Sequence, residues 1–299
     1  MPRNSRSRAA APSAAPAEHE RAAPDSDTLC RIRLEQHLRF LGLTLTRESI
    51  DELLAWAARE RPTPSTLLEH VLGREVAHKA QNRVEHRFQR SGLTERKTLE
   101  AFDWQFQPGL DKAFIVELGN LSFVDRRDDV IITGTAGTGK SHILKALGLR
   151  ACQLGVSIRY ARCVDLLDDL HSGLADNTYP KRLRAWTSPA LLIIDDVGLG
   201  QIKKRDDEPT AAHTLYNLVD RRHGHASTAI TSNIRLRDWG RYLGDATVTA
   251  AILDRLVMQA LRIDIDGPSY RQHVATDRAR KAGITLPPHD ATPTPPAAS

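Results

Sequence analysis

The spacing of apolar residues changes near residue 128 and divides the chain into two predicted parts. Between residues 28 and 98, apolar side chains recur at helical intervals, and the third predicted helix begins after Pro64, with Gly73 as a weak point and Gly92 as its end. Ser49 and Glu52 have the spacing of a capping box at the start of the second helix.

From residue 128 to residue 283, short apolar or β-branched runs alternate with helical patterns. Strands that alternate with helices predict an α/β fold, in which a parallel sheet is covered on both faces. The predicted strands lie in the segments DVIITG, VSIRYARC, LLIIDDV, STAITSN and LRIDID.

Composition predicts the character of the remaining segments. Residues 1–27 are rich in Ala, Pro, Ser and Arg and are predicted to be a disordered basic tail, and residues 284–299 a second disordered tail. The segment 99–127 is predicted to link the helical domain to the α/β domain. No apolar run approaches the roughly 18 residues that span a bilayer, so no membrane association is expected.

Charge and cysteine content narrow the function classes. The formal net charge of +5 and the pI of about 9.2 suit an anionic partner such as nucleic acid. The three cysteines form no C-x-x-C pair, which argues against a zinc site or a disulfide framework and favours a reducing cytoplasm.

A glycine-rich segment between the first predicted strand and the following helix fits the pattern G-x-x-x-x-G-K-S. In this context the backbone N–H groups would surround phosphate oxygens, the lysine would supply a positive charge, and the serine hydroxyl would bind Mg²⁺. The alternative is a glycine turn before a helix. The predicted nucleotide-binding residues are Gly134, Thr135, Ala136, Gly137, Thr138, Gly139, Lys140 and Ser141.

Polar residues end two of the later predicted strands. Asp195 and Asp196 follow four apolar residues, and the carboxyl ends of parallel strands face the crevice where α/β sheets bind ligands. Asp195 is predicted to hold Mg²⁺, directly or through water, together with Ser141, and Asp196 to polarise the attacking water. Asn233 ends the fourth strand and is predicted to bond the γ-phosphate or to orient that water.

Five segments, GTAGTGKSH, LLIIDDVG, AITSN, AAILDRL and IDGPSYR, resemble the IstB family of AAA+ ATPases, which is similar to the DnaC-type helicase loaders. The resemblance covers roughly residues 29 to 275 and includes the aromatic segment LEAFDWQFQPGLD. It implies a P-loop AAA+ domain whose five-stranded parallel sheet has the order 5-1-4-3-2, with a small all-helical N-terminal domain. The implied cofactors are ATP and Mg²⁺.

The same resemblance implies roles for two arginines. Arg255, in LDRL, would be an arginine finger that reaches the nucleotide of a neighbouring subunit, and Arg271, in SYR, would contact the nucleotide of its own subunit. An ion pair on the helix surface is the alternative for Arg255, and Arg221 and Arg222 are rivals for the finger. The family usually has Thr at the position of Ser141 and often Glu at that of Asp196.

Basic residues form two candidate DNA-binding sets. The first is a stripe on the third helix that would track phosphates, unless it is a solvated face that Glu75 and Glu85 partly neutralise. The second lies between the second and third strands. A third cluster, at residues 203–205, is followed directly by acidic residues. The candidates are Lys79, Arg83, Arg87 and Arg90 in the stripe, and Lys181, Arg182 and Arg184 in the second set.

The resemblance implies an ATP-dependent, DNA-binding helper of an IstA-type transposase, and we expect it to form homo-oligomers on DNA in the bacterial cytoplasm. A DnaC-like loader of a replicative helicase would have the same nucleotide site. A nucleotide-gated DNA scaffold with negligible hydrolysis is a further alternative, because Asp196 brings its carboxylate less far toward the water than Glu would.

Overall fold

Residues 25–202 and 209–282 are described by a computed structural model. They fall into a helical unit that ends at Ala80 and an α/β unit that begins at Gln81. The helical unit contains α1 (Ser26–Phe40), α2 (Thr44–Glu48), α3 (Ile50–Glu60) and the first part of α4 (Pro64–Ser91).

The helical unit differs from the sequence prediction in its polar contacts. Ser49 does not cap α3, since its Oγ donates to the carbonyl of Leu45 at 2.8 Å. Glu75 is buried and accepts hydrogen bonds from the Thr46 N–H at 2.9 Å and hydroxyl at 3.0 Å, so it joins α4 to α2 and does not neutralise a solvated face. Gly73 lies within a continuous α4.

The α/β unit is built on the predicted parallel sheet. Its strand order is β2-β3-β4-β1-β5, and every described pairing is parallel, which confirms the predicted order 5-1-4-3-2. The strands are β1 (Asp129–Gly134), β2 (Ile158–Arg162), β3 (Leu191–Val197), β4 (Ser227–Ser232) and β5 (Ala260–Ile265).

Helices cover both faces of this sheet because successive strand residues point to opposite sides. The helices are α5 (Lys112–Leu118), α6 (Ser122–Arg126), α7 (Lys140–Leu154), α8 (Cys163–Ala175), α9 (Tyr179–Thr187), α10 (Ala211–Arg222), α11 (Trp239–Leu243), α12 (Ala246–Val257) and α13 (Tyr270–Lys281). Ile131 of β1 belongs to one apolar core, with α8 to α12, whereas Val130 and Ile132 belong to the other, with α5 to α7.

The segment 99–127, expected from the sequence as a linker, contributes to the second core. Phe102, Ile115, Leu118 and Phe123 are buried there against β1 and α7. It therefore covers one face of the sheet. Among the described residues, no helix combines the length and the apolar character needed to cross a membrane.

Candidate nucleotide-binding site

The glycine-rich segment joins β1 to α7, as its sequence predicts: β1 ends at Gly134 and α7 begins at Lys140. Gly139 adopts a φ of +100°, and a Cβ there would lie 2.6 Å from the ring of Phe102. Only glycine permits this backbone together with so close a contact. The loop is thus held between the sheet and the aromatic segment.

Lys140 is the first residue of α7, at the end of this loop. Its side chain is buried, and the ammonium donates to the carbonyl of Thr135 at 2.6 Å. Burial lowers the pKa of Lys140, while the charges of Asp196 and Asp195 oppose that shift. A bound phosphate would add negative charge at this position and favour the protonated ammonium further.

Asp195 lies next to the serine of the loop. Its carboxylate is 1% exposed, and Oδ1 accepts a hydrogen bond from the Ser141 hydroxyl at 2.9 Å. Oδ1 also accepts from the Thr231 hydroxyl, and Oδ2 accepts from the Tyr160 hydroxyl at 2.7 Å. The predicted pair of Ser141 and Asp195 is therefore in direct contact.

This pair fits Mg²⁺ by the chemistry of its donors. A hydroxyl and a carboxylate oxygen are hard ligands, and Mg²⁺ is commonly bound by one or two carboxylates together with substrate phosphates. In the described ranges, no group of three or more His, Cys, Asp or Glu residues could hold a metal alone. A metal held by Ser141 and Asp195 would take further ligands from the phosphates of a bound nucleotide.

Asp196 turns out of the strand beside this pair. Its φ is +62°, and the pairing of β3 with β4 shifts register between Ile194 and Val197. The amide of Asn233 donates to Asp196 Oδ1 at 3.0 Å. The end of β4 thereby holds the carboxylate of Asp196 beside the phosphate loop.

Residues 136–141 of the loop line one cavity of about 580 Å³ together with Asp196 and Asn233, whereas the buried Asp195 does not. Arg271, for which the family resemblance implies a contact with the nucleotide of its own subunit, also lies on the wall of this cavity. Tyr270 attaches the start of α13 to the loop, since its N–H donates to the carbonyl of Gly137 at 2.9 Å.

Several residues of the site were not singled out from the sequence. Phe106 lines the cavity with its ring centroid 5.1 Å from that of Tyr270, in an edge-to-face arrangement. Phe102 covers Gly139, and Tyr160 and Thr231 bond Asp195. The aromatic segment before β1 was a signal for the two phenylalanines, but nothing in the spacing of Tyr160 indicated its contact.

Arg255 makes contacts within its own chain. Its Nε donates to Asp220 Oδ1 at 2.9 Å and its Nη2 to the Tyr216 hydroxyl at 2.8 Å. In this structure Arg255 therefore forms a surface ion pair, as in the alternative to the finger, and its partner is Asp220. The side chain remains 28% exposed at the end of α12.

Arg222, one rival for the finger, is a buried structural residue. It is 1% exposed, and it donates to the carbonyls of Pro189 at 2.8 Å and Thr187 at 3.0 Å and to the Thr228 hydroxyl at 3.1 Å. Burial lowers its pKa to about 10, so the guanidinium stays protonated near neutral pH. These contacts leave no reach toward a neighbouring subunit, whereas Arg221 is exposed.

Replacing Arg222 with alanine should lower the free energy of unfolding by about 3–5 kcal/mol, because buried carbonyls would lose a charged donor. Urea denaturation measures this loss. Arg221→Ala is the matched control and should change stability by less than about 0.5 kcal/mol. If Arg222→Ala were as stable as Arg221→Ala, Arg222 would return as a candidate finger.

Only some side chains of the two candidate DNA-binding sets are exposed to solvent. Arg83 and Arg90 are exposed, but the half-buried Arg87 donates to the carbonyl of Cys152 at 3.4 Å. Lys79 lies in the helical unit and is half-buried.

In the second set, Lys181 and Arg184 are exposed, whereas Arg182 is ion-paired with Asp169 and Asp176. Trp186 beside them is buried and cannot stack on a base. The third cluster, residues 203–205, lies outside the described residues.

Comparison with known proteins identifies relatives across most of the chain. A sequence model of the family described as IstB-like ATP binding protein matches residues 36–278. The ATP-binding protein of insertion sequence IS5376 from Geobacillus stearothermophilus is 30% identical over 239 residues, covering 80% of this chain and 93% of that protein. The ATP-binding protein of insertion sequence IS21 from Pseudomonas aeruginosa is 32% identical over 256 residues, covering 86% of this chain and 90% of that protein.

Among solved structures, AMPPCP-bound DnaA from Aquifex aeolicus is similar, with a TM-score of 0.47 and 19% identity over 66% of this chain and 59% of that one. No functional assignment rests on this similarity. The family match spans the phosphate loop, the paired carboxylates and the AITSN and SYR segments together. This chain is therefore a member of the IstB-like family of ATP-binding proteins.

Proposed function

We propose that this protein is a DNA-stimulated ATPase that assembles on DNA in its ATP state and assists an IstA-type transposase. The contact of Ser141 with Asp195 at 2.9 Å, beside a buried Lys140, is the observation that carries the proposal. It supports a metal-nucleotide site in a chain whose relatives are ATP-binding proteins of insertion sequences.

The loop backbone and Lys140 would bind the β- and γ-phosphates, and Ser141 and Asp195 would hold Mg²⁺. When bound, the metal neutralises charge on the phosphate oxygens. Arg271 would contact the same nucleotide from its position on the cavity wall. Lys140 would therefore stabilise bound ATP before and during phosphoryl transfer.

Asp196 is the group proposed to orient and polarise the attacking water. Its Oδ1 accepts the amide N–H of Asn233, so the side chain already lies at the cavity wall next to the phosphate loop. Asn233 would keep one carboxylate oxygen occupied and present the other to water. Arg255 of an adjacent subunit would complete the site, which couples hydrolysis to assembly.

One observation favours the alternative of a nucleotide-gated scaffold with little turnover. Asp196 is a short side chain, and its bond to Asn233 at 3.0 Å holds it back at the strand end. In that case ATP would drive assembly on DNA while hydrolysis stayed negligible.

Phosphate release from ATP and Mg²⁺, measured with and without duplex DNA, separates the two functions. The ATPase proposal expects slow release that DNA accelerates several-fold. Binding of ATP without phosphate release under either condition would favour the scaffold. Lack of ATP binding would contradict both.

The partner requires a second experiment. The protein would be tested for ATP-dependent co-purification with the transposase encoded beside it and, separately, with the replicative helicase of its host. Retention of the transposase alone supports the proposed role. Retention of the helicase alone would make this protein a helicase loader.

We expect the protein to contact DNA mainly at its phosphates. The contacts would come from the exposed members of the two candidate sets, Arg83, Arg90, Lys181 and Arg184. Neutralising Arg83 and Arg90 together should flatten the dependence of log affinity on log salt by up to about two units, at about one per phosphate contact. Fluorescence anisotropy with duplex DNA at several salt concentrations measures this slope.

Arg278 and Arg280 are exposed on α13 and form a matched control pair, whose neutralisation should leave the slope unchanged. If the slope is unchanged in the Arg83 and Arg90 variant but falls when Lys181 and Arg184 are neutralised, the contact lies on α9. A flat salt dependence in the unmodified protein would contradict phosphate contact altogether.

A further inference from the structure

The two oxygens of the Asp195 carboxylate accept different numbers of hydrogen bonds. Oδ1 accepts from the Ser141 hydroxyl at 2.9 Å, from the Asp196 N–H at 3.1 Å and from the Thr231 hydroxyl. Within residues 25–202 and 209–282, the recorded donor to Oδ2 is the Tyr160 hydroxyl at 2.7 Å. Tyr160 therefore opposes the three donors from the other side of the carboxylate.

The sheet itself brings Tyr160 to this position. β2 pairs in parallel with β3 so that Tyr160 lies opposite Ile193 and Arg162 lies opposite Asp195. A residue on a neighbouring strand at a diagonal position is within reach of a long side chain. Tyrosine is long enough to place its hydroxyl on the carboxylate while its ring packs with the apolar core on that face.

The backbone and ring of Tyr160 are also held in place. The chain turns at Gly92, where φ is +86°, and a Cβ on this residue would lie 2.6 Å from the carbonyl oxygen of Tyr160. On the other side, the ammonium of Lys145 lies 5.8 Å from the centroid of the tyrosine ring. Tyr160 therefore lies between the turn at Gly92, which its backbone contacts, and the side chains of Lys145 and Asp195.

The Tyr160 hydroxyl is the donor in this contact, because an ionised carboxylate can only accept. A tyrosine that stays neutral donates a charge-assisted hydrogen bond to the carboxylate.

We propose that Tyr160 is a positioning residue that fixes the plane of the Asp195 carboxylate and so sets the affinity of the site for Mg²⁺. This inference rests on the proposed function of Ser141 and Asp195 as the metal-binding pair. Removing the hydroxyl would leave Oδ2 without this donor, and the carboxylate could rotate away from the Ser141 hydroxyl. Groups that orient metal ligands typically change metal affinity by about 10–100-fold when they are lost.

Tyr160→Phe removes only the hydroxyl and retains the partly buried ring. The experiment measures the affinity of a fluorescent ATP analogue first in EDTA and then over increasing Mg²⁺. The Mg²⁺ midpoint is expected to rise about tenfold in the variant, while the affinity in EDTA stays the same.

Tyr179→Phe is the matched control, because its hydroxyl contacts Asn217 at 3.4 Å and not a residue of the cavity. Its Mg²⁺ midpoint should equal that of the unmodified protein. A Tyr160→Phe midpoint within about twofold of the unmodified protein, or an equal loss of affinity in EDTA, would overturn the positioning role. If Mg²⁺ has no effect on nucleotide affinity in the unmodified protein, the proposed metal-binding pair itself fails, and the inference fails with it.

Discussion

ATP affinity should fall at least about a hundredfold, which corresponds to roughly 2.7 kcal/mol, when Lys140 is replaced by alanine. The side chain is buried within the loop, and its ammonium lies 2.6 Å from the carbonyl of Thr135, where a phosphate would replace that contact. Hydrogen bonds between a charged donor and a phosphate are among the strongest in proteins. Titration with a fluorescent ATP analogue measures the loss.

Lys181→Ala is the matched control, because it removes an exposed lysine of the same unit that lies outside the cavity. It should bind ATP like the unmodified protein. Circular dichroism of Lys140→Ala should be unchanged, since the loop carbonyl that loses the ammonium can be solvated. Affinity within about threefold of the unmodified protein, in a folded Lys140→Ala variant, would remove Lys140 from the phosphate site.

Asp196→Asn should stop phosphate release while ATP binding is retained. An amide cannot accept a proton from the attacking water, and general base catalysis typically contributes about 10²–10⁴-fold to a rate. The replacement has the same size, and its oxygen can still accept the amide N–H of Asn233. Single-turnover hydrolysis and ATP titration of the same preparation separate the two effects.

Asp196→Glu extends the carboxylate and tests whether the short side chain limits the rate. Faster release in this variant would support that explanation for slow turnover. Hydrolysis by Asp196→Asn at the unmodified rate would instead exclude the carboxylate from the reaction.

A mixture of Asp196→Asn with Arg255→Ala tests whether the site is shared between subunits. Each variant should be inactive alone, but some mixed interfaces would pair an intact Asp196 with an intact Arg255 and recover hydrolysis. Arg255 would have to leave Asp220 and Tyr216, which it contacts in this structure. If mixed oligomers form and no ratio restores hydrolysis, the exposed Arg221 becomes the better candidate.

The features that the sequence predicted correctly are those that depend on local pattern. Apolar runs bounded by turns identified the strands, and the family resemblance supplied their order in the sheet, which the pairing confirms. The contact of Ser141 with Asp195 could be expected because both lie where parallel strands end at one edge of the sheet.

The features that were missed depend on contacts between distant segments. Helical spacing could not show that Glu75 is buried against Thr46, or that Arg87 and Arg182 are engaged by a carbonyl and by carboxylates. The sequence of a helix does not show whether a charged side chain faces solvent or a partner on another segment. Tyr160 was missed for the same reason, since its contact depends on the register between β2 and β3.

The most direct test of the account is a crystal structure of the unmodified protein with Mg²⁺ and a non-hydrolysable ATP analogue. In that complex we expect the phosphates to lie on the loop from Gly134 to Ser141, next to Lys140. We expect the metal to lie beside the Ser141 hydroxyl and the Asp195 carboxylate. A nucleotide bound elsewhere, or a metal held without Ser141 and Asp195, would contradict it.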